Sequence, residues 1–126
     1  MHAIDTNVLV RLIARDDPKQ VAAAESVASK GAWVSHLVLM EAVWVLSSVY
    51  DIDAEGVATA IEMLLEHDSL ALQDPDVVQA ALGIFRERPK LGFSDCLIYE
   101  VARKVGHIPL ATFDRELSKL ENAQRL

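Results

Sequence analysis

The sequence predicts an α/β fold, a compact α/β/α sandwich built on a central parallel sheet of four to five strands. Three observations predict it. Short apolar runs alternate with longer helical segments along the whole chain, the pattern that brings strands side by side with helices on both faces. Two Asp-Pro steps, at 17–18 and 74–75, open helices with an N-cap residue followed by a proline at the first helical position. The turns between elements are short, and no repeat, low-complexity run or linker interrupts the 126 residues, so one domain over 1–126 is expected.

The elements follow in order. Residues 2–4 are a short apolar strand. Residues 6–14 form a helix with Val8, Leu9, Leu12 and Ile13 on one face. Asp17 and Pro18 start the next helix, which runs to about residue 30 and stops at Gly31. A second strand covers 32–35. Ser35 is placed to cap a long apolar helix over 36–50, and Asp53 another that ends near 67. Residues 70–73 are a third strand, and Asp74-Pro75 opens a helix to about 88. A turn at 89–92 leads to a helix over 94–105, capped by Ser94 and ended by Gly106. A fourth strand, 107–111, holds Pro109; a last short helix covers 115–120, and the tail 123–126 is placed to add an edge strand.

Composition narrows the function. Apolar residues make up 52% and charged residues 25%, an ordinary globular balance. The apolar start lacks a basic leader region, and the longest apolar stretch, 33–50, is broken by His36, Glu41 and three serines, so neither a signal peptide nor a membrane span is expected. A single cysteine, Cys96, excludes an internal disulfide framework and fits a reducing cytoplasm. The net charge of −7 is unevenly spread. Residues 1–80 carry 13 acids against 4 Lys and Arg, a net of −9, whereas 81–126 carry 6 acids against 8, a net of +2. The last third is therefore where a polyanion meets least repulsion.

Four acids stand in telling places. Asp5 directly follows the first strand, Asp95 lies in the first turn of a helix, Asp114 follows the fourth strand, and Glu41 is a lone charge in the most apolar helix. In parallel sheets, ligands bind at the carboxyl ends of strands. Each acid also has a structural reading: Asp5 and Asp114 as helix caps, Asp95 as a partner of a helix dipole. Glu41 is expected to be largely buried, with no Lys or Arg within ten residues to pair with it. Carboxylates drawn together repel by about 4 kcal/mol at about 4 Å and an effective dielectric of about 20, so a cluster needs protons or a cation. All-oxygen ligands suit Mg²⁺ or Mn²⁺ rather than zinc.

The segments around these acids resemble a known family. IDTNVLV at 4–10, SHLVLMEAVWVL at 35–46, GFSDCL at 92–97 and TFD at 112–114 look like the successive motifs of PIN-domain proteins, particularly VapC-type toxins of toxin–antitoxin pairs. The resemblance covers nearly the whole chain. It implies a PIN-like α/β/α fold in which Asp5, Glu41, Asp95 and Asp114 bind Mg²⁺ or Mn²⁺ and activate water for RNA phosphodiester cleavage. It implies that Asn7 and Thr112 support the acids by hydrogen bonds, that the protein forms a homodimer, and that a cognate antitoxin covers the site.

Among the remaining residues, Arg11, Arg15, Arg86, Arg88, Lys90 and Arg115 are candidate phosphate contacts or ordinary solvated charge. Cys96 is expected to be a buried helical cysteine, and Trp33 and Trp44 to be core. His2, His36, His67 and His107 lack zinc spacing, and no phosphate-cradling glycine motif appears. Two other functions stay open. One is a phosphatase or phosphotransferase with Asp5 as nucleophile, although Asn7 stands where a partner Asp would serve. The other is a non-catalytic module that keeps the fold.

Overall fold

Short strands and longer helices alternate as the apolar pattern predicts. The computed structural model describes residues 1–126 and comprises two units, Met1–Pro75 and Asp76–Leu126. No helix in it is long and apolar enough to cross a membrane.

The first unit is built on three parallel strands, β1 (His2–Ala3), β2 (Ala32–Val34) and β3 (Leu70–Leu72), with β2 in the middle. His2 stands opposite Ala32, and Ala32 opposite Leu70. Ala32 and Val34 are fully buried while Trp33 between them is 39% exposed, the period-two alternation of a strand with one covered face. Four helices accompany the strands: α1 (Thr6–Ala14), α2 (Pro18–Ala28), α3 (His36–Ser48) and α4 (Ala54–Glu66). Each starts where the sequence supplies a capping oxygen. Asp5, Asp17, Ser35 and Asp53 accept the backbone N–H of Val8, Gln20, Val38 and Gly56, at 3.1, 3.1, 3.1 and 2.9 Å. Such a cap stabilises a helix by about 1 kcal/mol. Helix α1 packs on α2 and α3, and α3 on α4. The core is Leu9 and Val10, Leu39 and Leu46, and Ile61, each worth about 1.5–3 kcal/mol in transfer from water.

The second unit holds α5 (Pro75–Glu87), whose first residue is the last of the first unit, a 3-10 turn over Pro89–Leu91, and α6 (Phe93–Val105). Two parallel strands, β4 (Leu110–Thr112) and β5 (Ala123–Arg125), and a second 3-10 turn over Leu117–Lys119 complete it. Phe85 and Phe93 meet edge to face at 6.1 Å, joining α5 to the start of α6. Gly106, at φ +82°, ends α6 in the left-handed conformation that an end-of-helix glycine adopts.

Several expectations are corrected. The strands form one three-stranded and one two-stranded sheet, not a sheet of four to five. Apolar runs reveal strands, but which strand pairs with which depends on long-range contacts that a single sequence does not display. The fourth strand begins at Leu110 rather than 107, since Pro109 has no N–H to give a ladder. The segment 115–120 forms only the 3-10 turn. Helix α6 starts after Gly92, not at Ser94. Glu41 is exposed rather than buried, and Trp44 is 63% exposed rather than core. The stripe of α3 that faces inward is Leu39, Ala42, Val43 and Leu46. Glu41 lies on the other side, between Leu37, itself 80% exposed, and Trp44.

Candidate active site

In the first unit Asp5, Asn7 and Arg11 share a cleft at the start of α1, and Glu41 stands apart from it on α3. Asp5 ends the β1 segment, where Ile4 N–H still donates to Trp33 C=O at 3.1 Å. The chain then turns into α1, so the exposed Asp5 carboxylate is fixed by its own capping bond to Val8. Asp5 and Asn7 line an open cleft of about 320 Å³ with Val8, Arg11, Gln20 and Ala24 among its walls. Glu41 is not among the residues that line it.

Arg11 is occupied by its neighbours. Its Nη1 donates to Asp16 at 2.7 Å and to the Tyr50 hydroxyl at 2.9 Å, and its Nε to Gln20 at 2.7 Å. Tyr50 in turn donates to the other Asp16 oxygen at 2.7 Å. The Tyr50 hydrogen bond, helped by Arg11, holds the Asp16 carboxyl below its usual value. This ring of bonds ties α1 to the start of α2 and the end of α3, a structural role for Arg11. Arg15 pairs with Glu25.

In the second unit Asp95 and Asp114 come together. Asp95 sits half-buried in the first turn of α6. Its carboxyl is pushed above the usual range, first by burial and second by the charge of Asp114. Asp114 is held from both sides. Its backbone N–H donates to Thr112 Oγ1 at 3.0 Å, and its Oδ1 accepts the Leu117 N–H at 2.8 Å. Thr112 thus holds the backbone of Asp114 rather than its carboxylate. Neither carboxylate takes part in an ion pair with Lys or Arg.

The charges around Glu116 are cations. Lys119 binds Glu116 at 3.0 Å, and Lys90 and Arg88 add to the field that lowers the Glu116 carboxyl. Arg86 and Arg115 are also exposed. Cys96, next to Asp95, is fully buried, and burial followed by the Asp95 charge pushes its thiol up to about 12. It is a core thiol and no nucleophile at neutral pH.

One buried carboxylate escaped sequence reasoning. Glu100 is 6% exposed and is paired with Arg103 Nε at 3.3 Å. The signal was available: Phe93, Cys96, Leu97 and Glu100 share the buried stripe of α6 at helical spacing.

Within neither unit do three or more His, Cys, Asp or Glu side chains form a group fitted to hold a metal ion. The donor chemistry of the Asp95–Asp114 pair nonetheless suits a hard divalent cation. Two carboxylates without a basic partner, one partly desolvated and pushed towards protonation, are what such a cation stabilises.

Fold and site together define an α/β protein with an acidic, oxygen-donor site on helix starts and strand ends. The PIN domain model matches residues 3–123, and the chain belongs to that family. PIN domains are generally nuclease domains; they bind nucleic acid and generally use divalent metals. None of the curated proteins compared with the chain matches it.

Proposed function

We propose that the chain is a Mg²⁺- or Mn²⁺-dependent endoribonuclease, the toxin of a type II toxin–antitoxin pair, dimeric and restrained by a cognate antitoxin. The observation that carries the nuclease reading is the match of the PIN domain model over residues 3–123; the half-buried Asp95, on which the charge of Asp114 acts, agrees with it. The toxin reading, the dimer and the antitoxin rest on the likeness of the motifs around Asp5, Glu41, Asp95 and Asp114 to VapC-type sequences.

In this reading Asp5, Asp95 and Asp114 supply the oxygen ligands, and Glu41 joins them. When bound, the ion supplies the charge and acidity that let water attack a phosphodiester at neutral pH. The protein's part is to hold the donors still. Asp5 is fixed by its cap to Val8, and Asp114 by Thr112 and Leu117. Asn7 lines the same cleft as Asp5. Arg86, Arg88, Lys90 and Arg115 receive backbone phosphates by charge alone.

The test is cleavage of total RNA with Mg²⁺ or Mn²⁺ by the purified chain, its Asp5→Asn and Asp95→Asn variants, and the chain in EDTA. The reading expects fragments only from the wild type with metal. Fragments that persist in EDTA and in both variants would overturn it.

A further inference from the structure

The cleft between α1 and α2 combines apolar walls with a polar rim. Its volume is about 320 Å³, at the small end of ligand pockets, which run from about 300 to about 1,000 Å³. Val8, Ala23, Ala24 and Val27 give it apolar walls, and the two alanines of α2, each with a single side-chain carbon, leave room above that helix. The polar atoms come from Asp5, Asn7, Arg11 and Gln20. The charge of Arg11 is already offset. Its guanidinium donates to Asp16, Tyr50 and Gln20 at 2.7, 2.9 and 2.7 Å, and Asp16 is the opposite charge. With Asp5 also on the wall, the cleft suits a neutral group better than an anion.

The Arg11 contact also fixes which way the Gln20 amide faces. A guanidinium N–H only donates, so the Gln20 atom that meets Arg11 Nε at 2.7 Å is the oxygen. That leaves Nε2, which also only donates. Gln20 is exposed and lines the cleft, so its N–H groups are what this part of the rim offers a ligand. A small, neutral, largely apolar ligand with hydrogen-bond acceptors along its edge matches these walls, and a nucleobase is such a ligand. Asp5 ties the cleft to the chemistry: a nucleotide whose phosphate is met there has its base beside the cleft. The donor-only amide further sorts the bases. Uracil and guanine carry a carbonyl where cytosine and adenine carry an amine, and only the carbonyl accepts.

We propose that the cleft between α1 and α2 is a nucleobase pocket in which the Gln20 amide selects a keto base, uracil or guanine, beside the scissile phosphate of single-stranded RNA. This rests on the nuclease reading and deepens it. Gln20 is the specificity-determining residue, and Arg11 is a positioning residue that keeps the amide nitrogen turned to the substrate. In an RNA duplex the carbonyl edge lies in a deep, narrow groove that side chains do not read, so the pocket favours loops and unpaired segments.

The experiment measures binding of two fluorescein-labelled single-stranded RNAs of about ten nucleotides, one all uridine and one all cytidine, in Mg²⁺. The protein is the full chain carrying Asp95→Asn, which leaves the cleft unaltered and the RNA intact. Ala23→Leu and Gln20→Glu are compared on that background; both positions are exposed, and each variant is checked for an unchanged melting temperature. The parent should bind the uridine strand at least about 5-fold more tightly, the lower end of what a good base-edge contact discriminates. Ala23→Leu fills the cleft and should weaken the uridine strand by about 5- to 150-fold, the span for losing one bound base. Gln20→Glu keeps an oxygen for Arg11 and loses the donors; its carboxylate accepts from the cytosine amine, so the preference should pass to the cytidine strand. Equal binding of the two strands by the parent, an Ala23→Leu variant that binds like the parent, or a Gln20→Glu variant with the preference unchanged overturns the pocket. Mapping the cuts made in a random-sequence RNA by the chain with Asp95 intact separates the two levels. If the wild type cuts and Gln20→Glu cuts at the same sites, the pocket fails and the nuclease stands. If the wild type neither cuts nor binds RNA, the nuclease reading itself fails, and the pocket with it.

Discussion

Asp114 is the residue at which catalytic and structural roles separate most cleanly by substitution. Its Oδ1 accepts the Leu117 N–H at 2.8 Å, while its charge bears on Asp95. Asn keeps an accepting oxygen at the same position and loses the charge; Ala loses both. The capping bond is worth about 1 kcal/mol, within a span of about 0.5–2. For 126 residues the unfolding entropy makes about 1 kcal/mol correspond to a melting shift of about 4 °C. Asp114→Ala should therefore melt about 4 °C below Asp114→Asn. Both should lose RNA cleavage, by at least the roughly 10- to 100-fold that removing even an outer partner of a metal site costs. The assay is a thermal melt in EDTA beside a cleavage time course in Mn²⁺. If the two variants melt together, the cap carries no stability and the geometric argument is wrong. If either cleaves like the wild type, Asp114 is no ligand.

Two more predictions follow from named contacts. Asp95 has a raised carboxyl, so the folded protein holds that proton more tightly than the unfolded chain does, and stability falls as pH rises from the ordinary carboxylate value through the raised one; metal-free Asp95→Asn should match the wild type near pH 3 and melt above it at pH 7, and an Asn variant that melts lower at pH 7 would refute the sign. Tyr50→Phe removes a hydroxyl that accepts from Arg11 at 2.9 Å and donates to Asp16 at 2.7 Å; with the Arg11–Asp16 pair left in place and the group partly exposed, urea titration should show a loss of about 1–2 kcal/mol.

How much of this was legible depended on whether the chemistry was local. Asp17, Ser35 and Asp53 were readable as caps because the capped N–H lies three residues on and nothing distant is needed. Gly92 was not, because the 3-10 turn Pro89–Leu91 runs straight into α6, and a glycine at φ +76° takes the cap position without a side chain. Helix α3 misled for a different reason. With apolar residues on every side it carries no direction, so Leu37, Glu41 and Trp44 looked as deep as Leu39 and Leu46. The network of Arg11, Tyr50, Asp16 and Gln20 joins three elements across up to 39 residues and left no trace in spacing. The meeting of Asp95 and Asp114, nineteen positions apart, was implied only by the resemblance of their motifs.

The direction of the Asp95 shift decides between two accounts of that residue. An aspartate in the first turn of a helix gains about 0.3–1 kcal/mol from the positive end of the dipole, which by itself would lower its carboxyl. Burial opposes ionisation, and the like charge of Asp114 adds to that opposition. The carboxyl is raised, so burial and Asp114 outweigh the helix terminus. A purely structural dipole partner would not be set against another acid, because the like charge cancels the benefit. The arrangement instead carries an electrostatic cost that a divalent cation between the two would turn into binding affinity. That makes Mn²⁺-induced stabilisation, present in the wild type and absent in Asp95→Asn, the counterpart of the metal-free pH experiment. The same pair that destabilises the empty protein at pH 7 should stabilise the loaded one by an amount that grows with free metal concentration.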